Sequence, residues 1–213
     1  MQAVDQWRYQ TIAREAREAL ELSGFDARYA ATGSEAREIV LSFAKPGMKV
    51  GLGGSMTLRE LGVPEKLKSL GAELLDHGVP GLDLERKLEI LRAQLVCDLF
   101  LSGANAITLE GDIVNVDGNG NRIAALAFGP KKTVVVAGAN KVTRDLDEAL
   151  ARIETIAAPM NNKRLERPNP CVKAGTCRDC RLETRICRAY QILRRRPSLS
   201  DFTVVVVGEA LGY

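Results

Sequence analysis

Two apolar runs constrain the fold more than any other feature of this chain. Thr133–Ala137 (TVVVA) and Phe202–Val207 (FTVVVV) are nearly continuous stretches of β-branched residues, without the polar alternation of a half-exposed strand. Such runs are typical of strands that are covered on both faces, as in parallel sheets. Short apolar runs alternate with amphipathic segments along the chain, of which Asp5–Ser23 is the first. We therefore predict an α/β fold with a mostly parallel sheet covered by helices.

The elements follow from apolar periodicity and from the positions of glycine and proline. The predicted strands are 25–30, 49–52, 72–75, 106–109, 133–137 and 202–207, and the predicted helices are 5–23, 34–43, 64–70, 82–97 and 144–157. A hairpin-type turn is predicted at 117–120. Beyond Pro159 the chain becomes polar and basic, so residues 159–200 are predicted to be an excursion between two elements of one sheet. Arg194, Arg195 and Arg196 are predicted to end a helix.

Length and composition indicate one domain, residues 1–213. With 213 residues and 46% hydrophobic content, the chain can bury one sizeable core without disulfides. The first twenty residues are charged, and 18 apolar residues never follow one another, so no membrane segment is expected. We expect a cytoplasmic protein, in which clustered cysteines are more often metal-binding or catalytic than bridged.

A glycine-rich loop is the first candidate ligand site. The stretch KVGLGGSMTLREL places an apolar strand before a run of glycines and a predicted helix start at Thr57, with Glu60 three residues on as a capping box. Backbone N–H groups in such a loop can bind a phosphate or a carboxylate, although tight turns also use glycine for steric reasons alone. The candidate ligand-binding residues here are Gly51, Gly53, Gly54, Ser55 and Thr57.

A second polar segment follows the strand predicted at 106–109. Open α/β sheets bind ligands beyond the ends of their strands, so Asn105, Asp112 and Asn115 are further candidates for ligand binding. Glu110 stands between an apolar strand and Gly111 and is expected to project into a pocket.

Four of the five cysteines lie in one basic loop. Cys171, Cys177, Cys180 and Cys187 are spaced C-x5-C-x2-C-x6-C, and residues 167–196 carry nine lysines and arginines against two acidic residues. Structural zinc sites usually use two short-spaced cysteine pairs, whereas a cubane iron-sulfur cluster needs one thiolate for each iron. The spacing is similar to that of the endonuclease III cluster loop, with its two outer gaps exchanged. A 4Fe-4S cluster is therefore favoured over zinc, and a disulfide or free-thiol redox pair comes third.

Four long segments together resemble one family. They are GLGGSMTLRELG (51–62), LSGANAITLEGDIVNVDG (101–118), GPKKTVVVAGANKV (129–142) and VVVVGEALGY (204–213), and they are similar to the LUD-domain family of lactate-utilisation proteins, in the branch with a C-terminal cysteine motif. The resemblance implies the three-layer, Rossmann-like fold of ribose-5-phosphate isomerases, CoA transferases and 5-formyltetrahydrofolate cyclo-ligase. It also implies a ligand pocket at the glycine loop.

Two segments are similar to those of individual enzymes within that fold, and they refine the expected ligand pocket. Gly51–Thr57 is similar to the phosphate loop of ribose-5-phosphate isomerases, and GANAITLEGDIVN is similar to the GADRI...NGDVAN stretch of methylthioribose-1-phosphate isomerases. Where those isomerases have a catalytic Asp, this chain has Asn105, which cannot act as a general base. CoA transferases of this fold use a Glu nucleophile, and Glu110 is the candidate by loose analogy.

These residues and the resemblance support two hypotheses for the function, from different classes. The first is a protein of organic-acid metabolism, lactate included, that binds a small anionic or phosphorylated metabolite and uses the cluster as an electron carrier or a structural anchor. Because one cluster cannot accept both electrons of a hydroxy-acid oxidation in one step, oxidation would require redox partner subunits or another cofactor. The second is a non-catalytic, metal-stabilised metabolite sensor.

The composition and the N-terminal segment bear on two further kinds of partner. Nucleic-acid binding is disfavoured because aromatic residues make up only 5% of the chain. Trp7, Arg8 and Tyr9 are candidates for a homodimer contact, with packing of Trp7 on the core as the alternative. His77, the single histidine, is expected to be structural or turn-capping.

Overall fold

A computed structural model describes residues 3–213, and Met1 and Gln2 lie outside the described residues. The helices are α1 (Ala3–Leu22), α2 (Gly33–Leu41), α3 (Met56–Glu60), α4 (Val63–Ser69), α5 (Leu84–Ala93), α6 (Asn121–Ala127), α7 (Leu146–Arg152), α8 (Ala158–Arg164) and α9 (Pro170–Ala174). The strands are β1 (Asp26–Ala30), β2 (Lys49–Leu52), β3 (Glu73–Leu75), β4 (Leu99–Gly103), β5 (Ala106–Thr108), β6 (Ile113–Asp117), β7 (Lys132–Gly138), β8 (Val142–Thr143), β9 (Ala189–Leu193) and β10 (Phe202–Val207). Short 3-10 turns follow α5 and β7, and a π-helical turn, Ile153–Ala157, joins α7 to α8.

The central sheet has six parallel strands in the order β1-β10-β7-β4-β2-β3. The two β-branched runs that predicted it are adjacent, with Val204 opposite Val135 on one side and Ala27 on the other. All six residues of β10 are buried, as its unbroken apolar pattern predicted. The mostly parallel sheet is therefore confirmed.

Helices cover both faces of this sheet. On one face, Ala13, Ala16 and Leu20 of α1 and Leu126 of α6 share a core with alternate strand residues. On the other face, α2, α3 and α4 pack against the complementary set, which includes Val50, Leu99, Val134 and Val205. The residues of one strand divide between the two cores because successive side chains point to opposite faces. The α/β, three-layer, Rossmann-like class is thus confirmed.

A second sheet of four strands, in the order β8-β5-β6-β9, lies on the α1 side. Ile107 and Ile113 join the α1-side core, whereas Ala106 and Val114 form a small core with α7 and the following turns. The segment after Pro159 leads from α8 into β9 at the edge of this second sheet. Residues 159–200 thus contain a strand that the sequence did not predict, and this strand pairs with β6 of the second sheet.

Several element boundaries also differ from prediction. Strand β4 was missed, and it pairs with β2 and β7 in the centre of the sheet. The turn at 117–120 opens helix α6 instead of a hairpin. Pro159 lies in the first turn of α8, where proline is tolerated, so the helical segment continues beyond its predicted end at residue 157. Arg194, Arg195 and Arg196 follow strand β9, so they do not end a helix, and the Arg196 guanidinium donates to four backbone carbonyls.

Two surface features complete the fold. Trp7 is 66% exposed on α1, so it does not pack on the core. Among the helices within residues 3–213, none combines the length and apolar character that a membrane crossing requires.

Candidate functional site

A cleft of about 760 Å³ opens at the carboxyl ends of β2, β4 and β7. Its floor is formed by the central sheet and its loops. One wall is formed by α8 and by the cysteine segment, residues 167–188. The charged side chains that line it are Arg59, Lys87, Asp117, Arg122, Lys141, Arg164, Arg167, Glu183, Arg185 and Arg188. Eight of these are basic and two are acidic, so the field inside the cleft favours an anion.

The glycine loop lies at the edge of this cleft. Gly53, Gly54 and Ser55 line it, whereas Gly51 is buried within β2. Gly54 has φ of 77°, a left-handed conformation that favours glycine. Gly103 at the end of β4 lies so close to the loop that a Cβ there would meet the Ser55 Oγ at 2.7 Å. Glycine is therefore needed both for the turn and for the approach of the two strand ends.

The helix after the glycine loop is short, and its N-cap residue is not the one that the sequence predicted. Ser55, not Thr57, is the N-cap of α3, and its Oγ accepts from the Leu58 N–H at 3.3 Å. Glu60 does not complete a capping box, because its carboxylate accepts from the Gly212 N–H at 2.7 Å. Since α3 has only five residues, the anion-binding capacity of the cleft depends on side chains more than on this helix.

Lys141 is the most unusual group in the cleft. It follows β7, is only 4% exposed, and its Nζ donates to the Thr57 Oγ1 at 2.8 Å. Thr57, fully buried beneath the loop, in turn donates to the Leu211 carbonyl at 3.2 Å. No carboxylate within residues 3–213 lies within salt-bridge distance of the Lys141 ammonium. The lysine thus has spare donors and an unpaired charge at the cleft floor.

The surroundings of Lys141 weaken its hold on a proton. Burial lowers the pKa of Lys141 to about 7, and the nearby guanidinium groups of Arg152 and Arg122 act in the same direction. The carboxylate of Glu60 opposes them only in part. An anion bound beside Lys141 would supply the missing counter-charge and restore the proton.

Arg122 and Asn105 form a hydrogen-bonded network at the other side of the floor. Arg122 pairs with Asp117 at 2.7 Å and donates to the Asn105 Oδ1 at 2.8 Å. The same Oδ1 accepts from the Val116 N–H, and the Asn105 N–H donates to the Asn115 Oδ1. Asn105 therefore lines the cleft with its amide oxygen already engaged in holding the second sheet.

Three predicted site residues lie away from the cleft. Asp112 and Asn115 are buried inside the second sheet and line no part of it. Glu110 is exposed in the β5–β6 turn, next to Gly111, which packs against Ala19 and Ser23 at the end of α1. The C-terminal end of α1 leads into the amino end of β1, whereas the cleft lies at the carboxyl ends of the parallel strands. The expectation that Glu110 projects into the pocket was therefore wrong.

His77, which follows β3 and was expected to be structural or turn-capping, also lines the cleft. Its Nδ1 lies 3.1 Å from the Nε2 of Gln94, a side chain that is only 1% exposed. Burial lowers the pKa of His77, and the cations Lys87 and Arg59 add to this effect while Asp76 opposes it. The imidazole is thus disposed to be neutral.

The four clustered cysteines share a second, small cavity beside the cleft. Cys171, Cys177, Cys180 and Cys187 all line it, together with Arg178, Arg185 and apolar side chains. All four are free thiols, and burial raises the pKa of Cys171 and brings that of Cys187 to about 11. Within residues 3–213 no three His, Cys, Asp or Glu side chains form a group ready to hold a metal ion. The structure therefore brings the predicted ligands to one place without assembling them into a metal centre.

The cysteine segment also builds part of the cleft. Residues 183–186 and Arg188 lie on the cleft wall, and Arg185 borders both cavities. Its guanidinium donates to the Cys180 and Cys187 carbonyls at 2.7 and 2.9 Å and pairs with Asp179 at 2.8 Å. The position of the cleft wall is thereby tied to the conformation of the cysteine loop.

Comparison with known proteins agrees with this architecture. The model of the LUD domain matches residues 13–207. The chain belongs to the LUD-domain family. A crystal structure of a DUF162 family protein from Deinococcus radiodurans superposes on this LUD-domain protein with a TM-score of 0.50 at 13% identity, over 93% of this chain and 98% of that one. At this identity the likeness shows a shared fold. No curated protein sequence matches the chain.

Proposed function

We propose that this LUD-domain protein binds a small anionic or phosphorylated metabolite in the cleft and takes part in organic-acid metabolism in the cytoplasm. The observation that carries the proposal is Lys141, a buried lysine with an unpaired charge at the floor of a predominantly basic cleft. A buried ion is costly unless it is paired, so a ligand that supplies the counter-charge offsets that cost. Lys87, Arg164 and Arg167, which also lack a carboxylate within salt-bridge distance among residues 3–213, would bind further anionic groups.

Calorimetric titration with inorganic phosphate tests this proposal. Wild-type protein should bind phosphate, and Lys141→Met should lose most of that affinity because the floor loses its cation. Lys68→Met, an exposed lysine of α4 away from the cleft, is the matched control and should bind as wild type does. Equal phosphate affinity in Lys141→Met and wild type would refute the assignment.

We also propose that Cys171, Cys177, Cys180 and Cys187 hold a 4Fe-4S cluster, with zinc as the alternative metal. The thiols share one cavity and two arginines lie beside them, which suits an anionic cluster with four thiolate ligands. The four thiols must lose their protons to become ligands, so metal binding itself would stabilise the ligand-holding conformation of the loop. The cluster would supply one-electron transfer, and redox partner subunits would complete any two-electron oxidation.

Purification without oxygen, followed by metal analysis, tests the cluster. Iron and acid-labile sulfide in equal amounts, with a visible absorbance that dithionite bleaches, would support the proposal. A colourless protein that holds one zinc ion would refute electron transfer by this chain. The four cysteines would then be a structural centre.

A second candidate, a non-catalytic metabolite sensor, is favoured by Asn105. Its amide oxygen accepts hydrogen bonds from both Arg122 and the Val116 N–H, so the side chain stabilises the second sheet. An amide cannot act as a general base. Incubation with a metabolite extract separates the two candidates. Depletion of a metabolite in proportion to the protein added supports a sensor, and depletion far beyond that amount supports an enzyme.

A further inference from the structure

His77 lies at the cleft edge of the glycine loop, and the Nε2 side of its ring faces that loop. A Cβ placed on Gly54 would lie 3.7 Å from the Nε2 and 3.9 Å from the Cε1. The absence of a side chain at Gly54 therefore leaves the Nε2 accessible from the cleft. Within residues 3–213, Nε2 has no hydrogen-bond partner, whereas Nδ1 has Gln94.

Gln94 determines which ring nitrogen carries the proton. Its Nε2 donates to the Leu52 carbonyl at 3.0 Å and to the Leu75 carbonyl at 2.8 Å, so the amide nitrogen must point this way. The reverse orientation would place the amide oxygen against two carbonyl oxygens. The same nitrogen faces the His77 Nδ1 at 3.1 Å, so its two hydrogens are shared among three acceptors. A hydrogen on Nδ1 would meet those amide hydrogens, so the neutral ring carries its hydrogen on Nε2.

The charge of the ring follows from the same contact. A protonated Nδ1–H would point at the amide hydrogens of Gln94, and the ring is half-buried near Lys87 and Arg59. His77 thus presents an uncharged N–H donor in a cleft that eight basic side chains line, and it lies beside the glycine loop, where Ser55 is the other uncharged polar side chain. Cations are the stronger partners of phosphate and carboxylate oxygens.

We infer that His77 is a specificity-determining residue that donates its Nε2–H to an uncharged oxygen of the ligand, a carbonyl or a hydroxyl. This inference rests on the proposed function, because it assigns a second contact to the anion bound in the same cleft. The ligand class narrows to anions that also carry such an oxygen.

The single histidine of the chain allows a direct test of the tautomer. Nitrogen-15 NMR at about pH 8, above the ordinary histidine pKa, should show an unprotonated Nδ1 and a protonated Nε2. Gln94→Met should introduce the other tautomer. A wild-type ring protonated mainly on Nδ1 would overturn the inference whether or not the cleft binds anions.

Two matched phosphate monoesters test recognition of the oxygen. Dihydroxyacetone phosphate and propyl phosphate share a three-carbon chain and one phosphate, but only the first carries a carbonyl and a hydroxyl. Wild type should bind dihydroxyacetone phosphate at least about tenfold more tightly, which corresponds to about 1.4 kcal/mol. His77→Met should lose this preference while keeping affinity for propyl phosphate, and His77→Gln, which retains a donor at a similar reach, should recover part of it.

The outcomes separate the inference from the proposed function. Equal wild-type affinity for the two esters would overturn the role of His77 and leave the anion site standing. Failure of wild type to bind inorganic phosphate and both esters would overturn the anion site and the role of His77 together.

Discussion

Replacement of Lys141 should stabilise the protein while it removes anion binding. The pKa of this lysine falls from 10.5 to about 7 in the fold, which at about 1.4 kcal/mol for each pKa unit is a cost of about 5 kcal/mol for keeping the charge. Lys141→Met removes that cost and also removes the hydrogen bond to Thr57, a loss of about 1 kcal/mol. At about pH 7 the folded-state lysine is half protonated, so the cost there is about 4 kcal/mol, and we expect the variant to be more stable than wild type by about 3 kcal/mol.

The pH dependence gives the sharper signature. Because the folded-state pKa is the lower one, the unfolded chain binds more protons between about pH 7 and pH 10.5. The stability cost is therefore fully present below pH 7 and shrinks as the pH rises through this range. Between about pH 7 and pH 9, wild type should gain about 2 kcal/mol relative to Lys141→Met.

Urea denaturation followed by circular dichroism under reducing conditions measures both quantities. Titrations of the other side chains cancel in the difference between the two proteins. A Lys141→Met variant less stable than wild type at about pH 7, or a difference that does not change with pH, would show that this lysine is paired or hydrated in the fold.

Four further outcomes are expected. Glu110→Gln should leave phosphate binding unchanged, because this side chain is exposed outside the cleft; a measurable loss by calorimetry would contradict its placement. Arg122→Met should lower the free energy of unfolding by about 3 kcal/mol, since Asp117 loses its partner; a loss below about 1 kcal/mol in urea titration would mean that the pair contributes little. Cys171→Ser should reduce the iron bound after anaerobic purification, and an unchanged iron content would exclude this thiol as a ligand. Removal of the metal should weaken phosphate binding because residues 183–186 form the cleft wall, and equal affinity with and without metal would show that the wall is independent of the loop.

The central sheet was predictable because burial on both faces leaves a clear pattern. Residues 133–136 of β7 and 203–207 of β10 are all β-branched, a composition that is typical of strands covered on both faces. Strand β4 was missed because its residues, LFLSG, run almost directly into the next apolar stretch. Apolar periodicity alone does not show where one buried strand ends and another begins. Strand β9, half-buried at a sheet edge and followed by three arginines, carries little apolar pattern at all.

The candidate site was only partly predictable. The glycine loop and the four cysteines are local in sequence, so their spacing could be recognised. Lys141, Arg122 and His77 come from separate segments and meet only in the fold. A signal for Lys141 was present, since it stands just after the carboxyl end of a fully buried strand, where open α/β sheets place ligand contacts. No sequence pattern pairs His77 with Gln94, because that contact depends on how β2 and β3 lie beside the turn after α5.

The shared wall between the two cavities has an evolutionary consequence. Arg185 and its neighbours serve the cysteine loop on one side and the cleft on the other, within a segment that continues directly into β9 and β10. A descendant that lost the four cysteines would also have to rebuild one side of its cleft. Inheritance of the cysteine motif and inheritance of ligand preference should therefore be linked, so that relatives without the motif differ in what they bind as well as in whether they hold a metal.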